Sequence, residues 1–220
     1  MNRVRLAVAA VAVSLCASSV AVAQTCLGLP PIAIARMNFG VAGEFTKGIK
    51  GASARFGVVG ERAFGGASAG FADYNDADVS ATMFGGDAGY SIPIKPASSL
   101  RLCPVVSVSF QDGPNFDDQP VIIQTSALSG AAGLAIGGAI DISPVLAIVP
   151  FASASVLSVR SKISDLDNST SSTETGGVLR GGLSFRLNSM FVVTPGVSIP
   201  VGFDSADPVY SIGVALGFRH

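Results

Sequence analysis

Apolar and small residues alternate with a period of two along much of the chain, which is the pattern of β-strands. The clearest case is the segment VYSIGVALGF at residues 209–218. Successive side chains of a strand point to opposite faces. This segment therefore predicts a strand with an apolar face of Tyr210, Ile212, Val214, Leu216 and Phe218 and an opposite face of Ser, Gly and Ala residues.

Similar alternation recurs in segments separated by turn-forming residues and predicts an all-β chain of ten strands. Eight strands is the alternative, because the third and fourth segments carry the weakest pattern. The ten predicted strands are 36–46, 51–60, 64–73, 79–94, 99–111, 122–142, 145–160, 176–187, 190–203 and 208–218.

Three prolines recur at a fixed interval within the predicted strands. Pro104, Pro150 and Pro195 lie 46 and 45 residues apart, and each is flanked by apolar residues and then by Ser-containing alternation. Proline cannot donate a hydrogen bond to the ladder of a sheet. The repeat predicts bulges or lipid-facing kinks at one level of every second strand, and the alternative is coincidence among the 12 prolines of the chain.

In the terminal segment, Phe218 is followed only by Arg219 and His220. This segment resembles the closing strand of small bacterial outer-membrane β-barrel proteins of the OmpX-like or porin-like kind. The resemblance covers roughly residues 36–218 and consists of alternation and turns. It implies an antiparallel up-and-down transmembrane barrel in a Gram-negative outer membrane. It also implies insertion by the barrel-assembly machinery through the terminal strand, and contact with outer-membrane lipids and lipopolysaccharide. Oligomeric state stays open, with a monomer favoured.

In such a barrel, the short connections at 95–98, 143–145 and 187–190 are expected on the periplasmic side. The longer, polar connections near 73–78, 111–121, 161–176 and 203–208 are expected outside. The connection at 161–176 contains KISDLDNSTSSTET, a composition that predicts a mobile loop.

The amino-terminal residues predict an export signal. Residues 1–23 contain Arg3 and Arg5, an apolar stretch, and a final Ala-Val-Ala before Gln24. An uncleaved anchor helix is the alternative. The predicted organisation is a signal peptide at 1–23, a periplasmic segment at 24–35 that plugs the inner mouth, and a barrel domain at 36–220.

Composition narrows the classes of function. The mean hydropathy is +0.54, but after the signal no run of about 18 residues lacks polar or turn-forming interruptions. With 13% charged residues and a net charge of −1, the chain lacks the basic stripe that nucleic acid requires. It has no Trp, only 3 Tyr and 13 Phe, so Phe is expected to form the interfacial girdles. A periplasmic or secreted β-sandwich, acting as a binding module, is a further alternative.

Two cysteines remain after the predicted signal, Cys26 and Cys103, in a compartment where disulfides persist. We expect a disulfide between them that ties the amino-terminal segment across the inner mouth. The alternative is two unpaired thiols.

The sequence predicts no catalytic, cofactor or metal site, and no enzyme. The sole histidine, His220, lies after the closing Phe218, and we interpret it as part of the chain end and not as a catalytic base. Charged residues with inward parity are expected to pair across the lumen instead, namely Glu44, Arg55, Asp87, Arg101, Asp141, Arg180 and Arg186.

The predicted lumen face consists mainly of small residues, which leaves two functions open. One is a closed structural or interaction barrel that acts through its external loops, and the other is a narrow passive channel for small solutes. The predicted lumen-lining residues are Ser107, Gly133, Gly137, Ser153, Arg180, Gly182, Ser184, Arg186, Ser198, Gly213 and Gly217.

Overall fold

The computed structural model describes residues 26, 37–60, 62–74, 79–94, 99–114, 116–118, 121–164, 168–187, 191–203 and 207–218. Within them, no helix has the length and hydropathy of a membrane span. The predicted signal peptide, the segment 24–35 except Cys26, and His220 lie outside this part of the chain. The strands are β1 (Met37–Thr46), β2 (Ile49–Val59), β3 (Ala63–Tyr74), β4 (Val79–Tyr90), β5 (Ile92–Pro93), β6 (Leu100–Asp112), β7 (Phe116–Asp118), β8 (Val121–Gly138), β9 (Ile140–Ser143), β10 (Leu146–Ser164), β11 (Ser169–Leu187), β12 (Phe191–Val201) and β13 (Val209–Phe218).

Ten of these strands form a closed antiparallel barrel with up-and-down topology. Pairing of β1 with β13, from Met37 opposite Phe218 to Phe45 opposite Tyr210, joins the two ends of the sheet. The short strands β5 and β9 continue β4 and β8, and β7 pairs with the outer end of β8. The prediction of ten strands is confirmed, and the alternatives of eight strands and of a β-sandwich are wrong.

The outward positions of the wall carry large apolar side chains in contact with the surroundings of the barrel. Val156 is 62% exposed, Leu134 54% and Ile212 50%. In a sandwich these side chains would face a second sheet and be buried. A closed wall turns them outward instead, which gives the apolar surface that hydrocarbon requires.

Outward aromatic side chains lie near both ends of the barrel. The upper girdle, at the end with the predicted external connections, contains Phe45, Phe71, Phe84, Phe110 and Tyr210. The lower girdle, at the opposite end, contains Phe39, Phe56, Tyr90 and Phe218. Phenylalanine thus takes most of the girdle positions in a chain without tryptophan.

Each of the three repeated prolines is the fifth residue of a strand that leaves the lower end: Pro104 of β6, Pro150 of β10 and Pro195 of β12. All three have outward parity. One neighbouring ladder is interrupted at each proline and resumes in the same register beyond it. The predicted common level is therefore present, but the predicted bulges are absent at these prolines, because the missing N–H removes pairing without inserting a residue.

The predicted mobile loop at 161–176 is instead mostly strand, so that prediction is wrong. The strands β10 and β11 pair continuously up to Ser164 opposite Ser169. Thr is a good strand former. Ser158, Arg160 and Lys162 of β10 are the cross-strand partners with which this polar segment forms its hydrogen-bond ladder. The pairing of β11 with β12 begins only at Gly177, so the outer part of β11 extends beyond β12.

The strands are staggered around the barrel. Starting at Arg101 of β6 and moving from each cross-strand partner to the next, the path runs through β8, β10 and the other wall strands to Ala81 of β4. The next residue, Thr82, pairs with Asp112 near the other end of β6. One circuit therefore climbs about twelve residues along β6, which corresponds to a strand tilt of about 40°. Each step from β6 toward β10 rises by about 3 Å along the barrel axis.

Two glycines of β8 provide a matched test of wall packing. A Cβ added at Gly133 would meet the carbonyl oxygen of Ala154 and the backbone of Ser155, whereas a Cβ at Gly130 would meet nothing within 4 Å. We expect Gly133→Ala to lower the free energy of unfolding by about 1–3 kcal/mol, because the strands must separate locally. Gly130→Ala should change it by less than about 0.5 kcal/mol.

The measurement is the urea midpoint of the barrel folded in lipid vesicles, followed by heat-dependent migration on gels. Equal midpoints for the two variants would contradict the close approach of β8 and β10.

Candidate functional site in the barrel lumen

The inner mouth of the barrel contains the disulfide between Cys26 and Cys103. Both cysteines are fully buried, in a cluster with Phe64 and Ala135, and Val105 packs against it. The bond closes a sequence separation of 77 residues and holds Cys26 against the lumen side of β6. A residue outside the wall strands is thereby fixed at the lower end of the lumen.

An ion pair lies inside the lumen above the disulfide and bridges β2 and β4 over the intervening β3. Arg55 of β2 donates to both carboxylate oxygens of Asp87 of β4, from Nε to Oδ1 at 3.0 Å and from Nη2 to Oδ2 at 2.7 Å. Its Nη1 donates to Asn38 Oδ1 at 3.5 Å. The Arg55 side chain is only 3% exposed, so its charge depends on these partners.

Glu44 and Arg180 are two further ionisable side chains of the lumen. Glu44 of β1 is buried, and the positive charge of Arg180 of β11 acts on it across the interior. The inward positions of neighbouring β13 and β12 at this level are Ser211 and Gly196, which are too small to separate the two groups. Side chains of β1 and β11, which are not adjacent in the wall, thus face the same part of the interior.

The upper end is filled on one side by a compact polar and apolar cluster. Gln111 is fully buried and donates from Nε2 to Gly113 O at 2.9 Å and to Tyr74 Oη at 3.2 Å. Ala72, Ala81 and Met83 pack around Tyr74. This cluster connects the lumen side of β3, β4 and β6 near the external connections.

Small lumen residues make room for the few large ones. A Cβ at Gly89 would overlap the ring of Phe64, and a Cβ at Gly182 would overlap the ring of Phe151. A Cβ at Gly66 would overlap the guanidinium of Arg55. These glycines therefore hold space that other side chains occupy.

A cavity of about 70 Å³ remains in the lumen beside β6 and β8. That volume has room for a few water molecules. Its lining consists mainly of small residues, with serine hydroxyls, some valines and two charged groups, and includes Asp87, Ser107, Gly133, Ser153 and Arg180.

The predicted lumen-lining residues all occupy inward positions of their strands. Four of them, Ser107, Gly133, Ser153 and Arg180, line the cavity. Others lie against the wall or at its ends: Ser184 bonds Thr194 at 2.8 Å, and Arg186 pairs with Asp141 at 2.6 Å at the lower rim. The remaining inward positions are Gly137, Gly182, Ser198, Gly213 and Gly217.

The predicted terminal strand is β13, and its apolar face points outward. Tyr210, Ile212, Leu216 and Phe218 are exposed, and Val214 is half-buried. Its other face lines the lumen, and its backbone pairs with β1 where the barrel closes. The structure thus gives this strand the closing position in the wall.

Sequence reasoning missed the inward aromatic residues Phe64 and Phe151 and the polar residues Asn38 and Gln111. The alternation of faces along each strand could have identified them as inward residues. Phe64, for example, lies on the same face of β3 as Gly66 and Gly70. Among the described residues, no group of three or more His, Cys, Asp or Glu side chains is arranged to hold a metal ion.

No protein-family model and no curated protein sequence matches this chain. Solved structures with similar folds are outer-membrane barrels. The N-terminal β-barrel domain of OprF from Pseudomonas aeruginosa is 13% identical, with a TM-score of 0.38, over 83% of this chain and 96% of that one. Ail, the attachment invasion locus protein of Yersinia pestis, is 14% identical, with a TM-score of 0.42, over 84% and 96%. The translocator domain of the autotransporter NalP from Neisseria meningitidis is 15% identical, with a TM-score of 0.49, over 85% and 87%.

The class of this protein follows from its own geometry. The barrel is closed, its outward face is apolar, and two aromatic girdles flank that face. The chain has the fold of an integral outer-membrane β-barrel protein.

Two carboxylates test the buried ion pair. Asp87→Asn leaves the Arg55 charge buried beside a neutral partner, and we expect it to lower the free energy of unfolding by about 3 kcal/mol. Asp141→Asn is the matched control, because the Asp141–Arg186 pair is exposed at the rim, with Asp141 70% exposed. That substitution should cost less than about 1 kcal/mol.

Urea unfolding of both variants in the same vesicles gives the comparison. A loss in Asp87→Asn no larger than in the control would mean that the Arg55 charge does not depend on Asp87.

Proposed function

We propose that this chain is an integral protein of the bacterial outer membrane that acts without enzymatic activity, as a closed structural or interaction barrel. The export signal predicted at 1–23 would be cleaved before insertion. The apolar belt between the two girdles supports membrane embedding, because such a surface is costly to expose to water.

The observation that carries the closed-lumen proposal is the ion pair of Arg55 and Asp87, whose charged groups occupy interior space beside Gly66 of β3. It ties β2 to β4 with two charge-assisted hydrogen bonds, at 3.0 and 2.7 Å. The disulfide and Phe64 support closure below it, and the buried side chain of Glu44 occupies further interior space. A solute would have to displace this ion pair, which is costly because it leaves a buried charge without its partner.

A second candidate is a narrow passive channel for small solutes. The cavity of about 70 Å³ favours it, because small polar residues and the charges of Asp87 and Arg180 line a space that water can enter. The two candidates differ in whether this space connects the two mouths.

An interaction role would use the upper end of the barrel. The hairpin of β10 and β11 projects there and is rich in hydroxyl groups, with Ser164, Ser169 and Thr173 among its residues. Exposed, hydrogen-bonding strands of this kind are suited to contact with polar partners.

Single-channel recording in planar bilayers distinguishes the two candidates. We expect no discrete conductance from the oxidised protein. We expect small openings from Cys26→Ser/Cys103→Ser, because loss of the tether frees the inner mouth beside Phe64. Asp141→Asn is the control and should behave as the unmodified protein, since its rim position leaves the interior unchanged.

Steady conductance from the oxidised, folded protein would instead favour the channel. Folding of each sample is checked by the migration difference between boiled and unboiled protein on gels.

A further inference from the structure

Two exposed basic side chains face outward on β10, beyond the apolar part of that strand. The outward positions run through Ala154 and Val156 to Ser158, Arg160 and Lys162 toward the upper end. Val156 is 62% exposed, and Arg160 and Lys162 are also exposed. The surface therefore changes from apolar to cationic within a few residues of one strand.

These two cations lie at the height expected for lipid headgroups. Arg160 pairs with Leu128 of β8, which pairs with Phe110 of the upper girdle. Because each step from β6 toward β10 rises by about 3 Å, Arg160 lies about 6 Å above Phe110 and Lys162 about 11 Å above it. Aromatic girdles mark the level of the membrane interface, so both charges lie on its outer side.

Among the described side chains, no aromatic residue of β8, β10 or β11 contributes to the upper girdle. Its aromatic side chains come from β1, β3, β4, β6 and β13. The adjacent strands β8, β10 and β11 instead present hydroxyl groups around the two cations. We define the β10 patch as Arg160 and Lys162 with the surrounding Ser126, Ser158, Ser164, Ser171, Thr173 and Thr175.

The positive charge of the patch is not neutralised within the described residues. Neither Arg160 nor Lys162 forms an ion pair there. Among the described side chains, Asp112 is the acidic residue on the same face; it shares a row with Lys162 but is separated from it by Ser126, about 10 Å away by strand spacing. Glu174 is adjacent on β11 but has the opposite parity.

We propose that the β10 patch binds a phosphorylated glycolipid of the outer leaflet. A guanidinium and an ammonium two residues apart on one face match the charge of a phosphate group. The neighbouring hydroxyls continue up the β10–β11 hairpin past Lys162 to Ser164 and Ser169, beyond the level of a phosphate. That height suits a sugar headgroup, which takes many hydrogen bonds, rather than a phospholipid headgroup.

This inference rests on the proposed membrane embedding. It names the lipid class that the embedded barrel selects and the sector of the wall that selects it. Aromatic girdles anchor a barrel to any lipid, whereas uncompensated cations at the same interface favour anionic headgroups.

Native mass spectrometry of the folded mature chain in detergent tests the proposal, with bisphosphorylated lipid A, dephosphorylated lipid A and phosphatidylglycerol as probes. We expect Arg160→Gln/Lys162→Gln to weaken retention of bisphosphorylated lipid A by about tenfold, because two charge-assisted contacts are lost. Removing the phosphates from the probe should weaken binding to the unmodified protein to a similar degree.

The matched control is Lys47→Gln/Lys50→Gln, which removes the same charge from exposed residues at the first hairpin. It should change retention by less than about twofold. Equal retention by the unmodified protein and Arg160→Gln/Lys162→Gln would overturn the site. Equally tight retention of phosphatidylglycerol would overturn the assignment to a glycolipid.

Heat-dependent gel migration and flotation with lipid vesicles are measured on the same samples. An unmodified protein that does not enter vesicles would reject the proposed function itself. A vesicle-bound, folded protein without lipid A selectivity would reject only the lipid site.

Discussion

The closure of the backbone hydrogen-bond ladder between β1 and β13 is the constraint on which the rest of the structure depends. Hydrocarbon offers no partner to an unpaired N–H or C=O, so a sheet in lipid must have no free edge at membrane depth. Once the sheet closes, every strand has one face toward the surroundings and one toward the lumen. The alternation of large apolar and small residues then divides the chain between these two environments.

The interior of a ten-strand barrel has to be filled without a conventional core, and this chain fills it by matching few large groups to many small ones. Rings of Phe64 and Phe151 occupy space opened by Gly89 and Gly182, and the Arg55 guanidinium lies against Gly66. Small residues in the lumen thus serve packing of other side chains. Arg55 meets Asp87 because the registers of β2, β3 and β4 place the two side chains on either side of β3 near Gly66.

The sequence anticipated the strands better than the connections. Strict alternation near β13, β10 and β8 predicted their central parts, because parity is a local property of consecutive residues. The outer parts of β10 and β11 were interpreted as a mobile loop because their Ser, Thr and charged residues match the composition of loops. Each became a strand through pairing with the other, and composition does not report pairing. The repeated prolines were expected to give bulges or lipid-facing kinks; they do face outward at one level, but no bulge forms at them, since register is set jointly by two strands.

The sequence by itself determined the two-faced strands, their approximate number, the inward parity of Arg55 and Asp87, and the cysteines available for a disulfide, because each follows from residue type and a period of two. Only the tertiary structure decided that Arg55 reaches Asp87, that Phe64 covers Gly89, and that Arg160 stands above the girdle level of Phe110. Those relations depend on which residues the registers of neighbouring strands place opposite each other, and the height of Arg160 depends also on the stagger of the ten wall strands. A single strand contains no information about its height relative to a strand two places away.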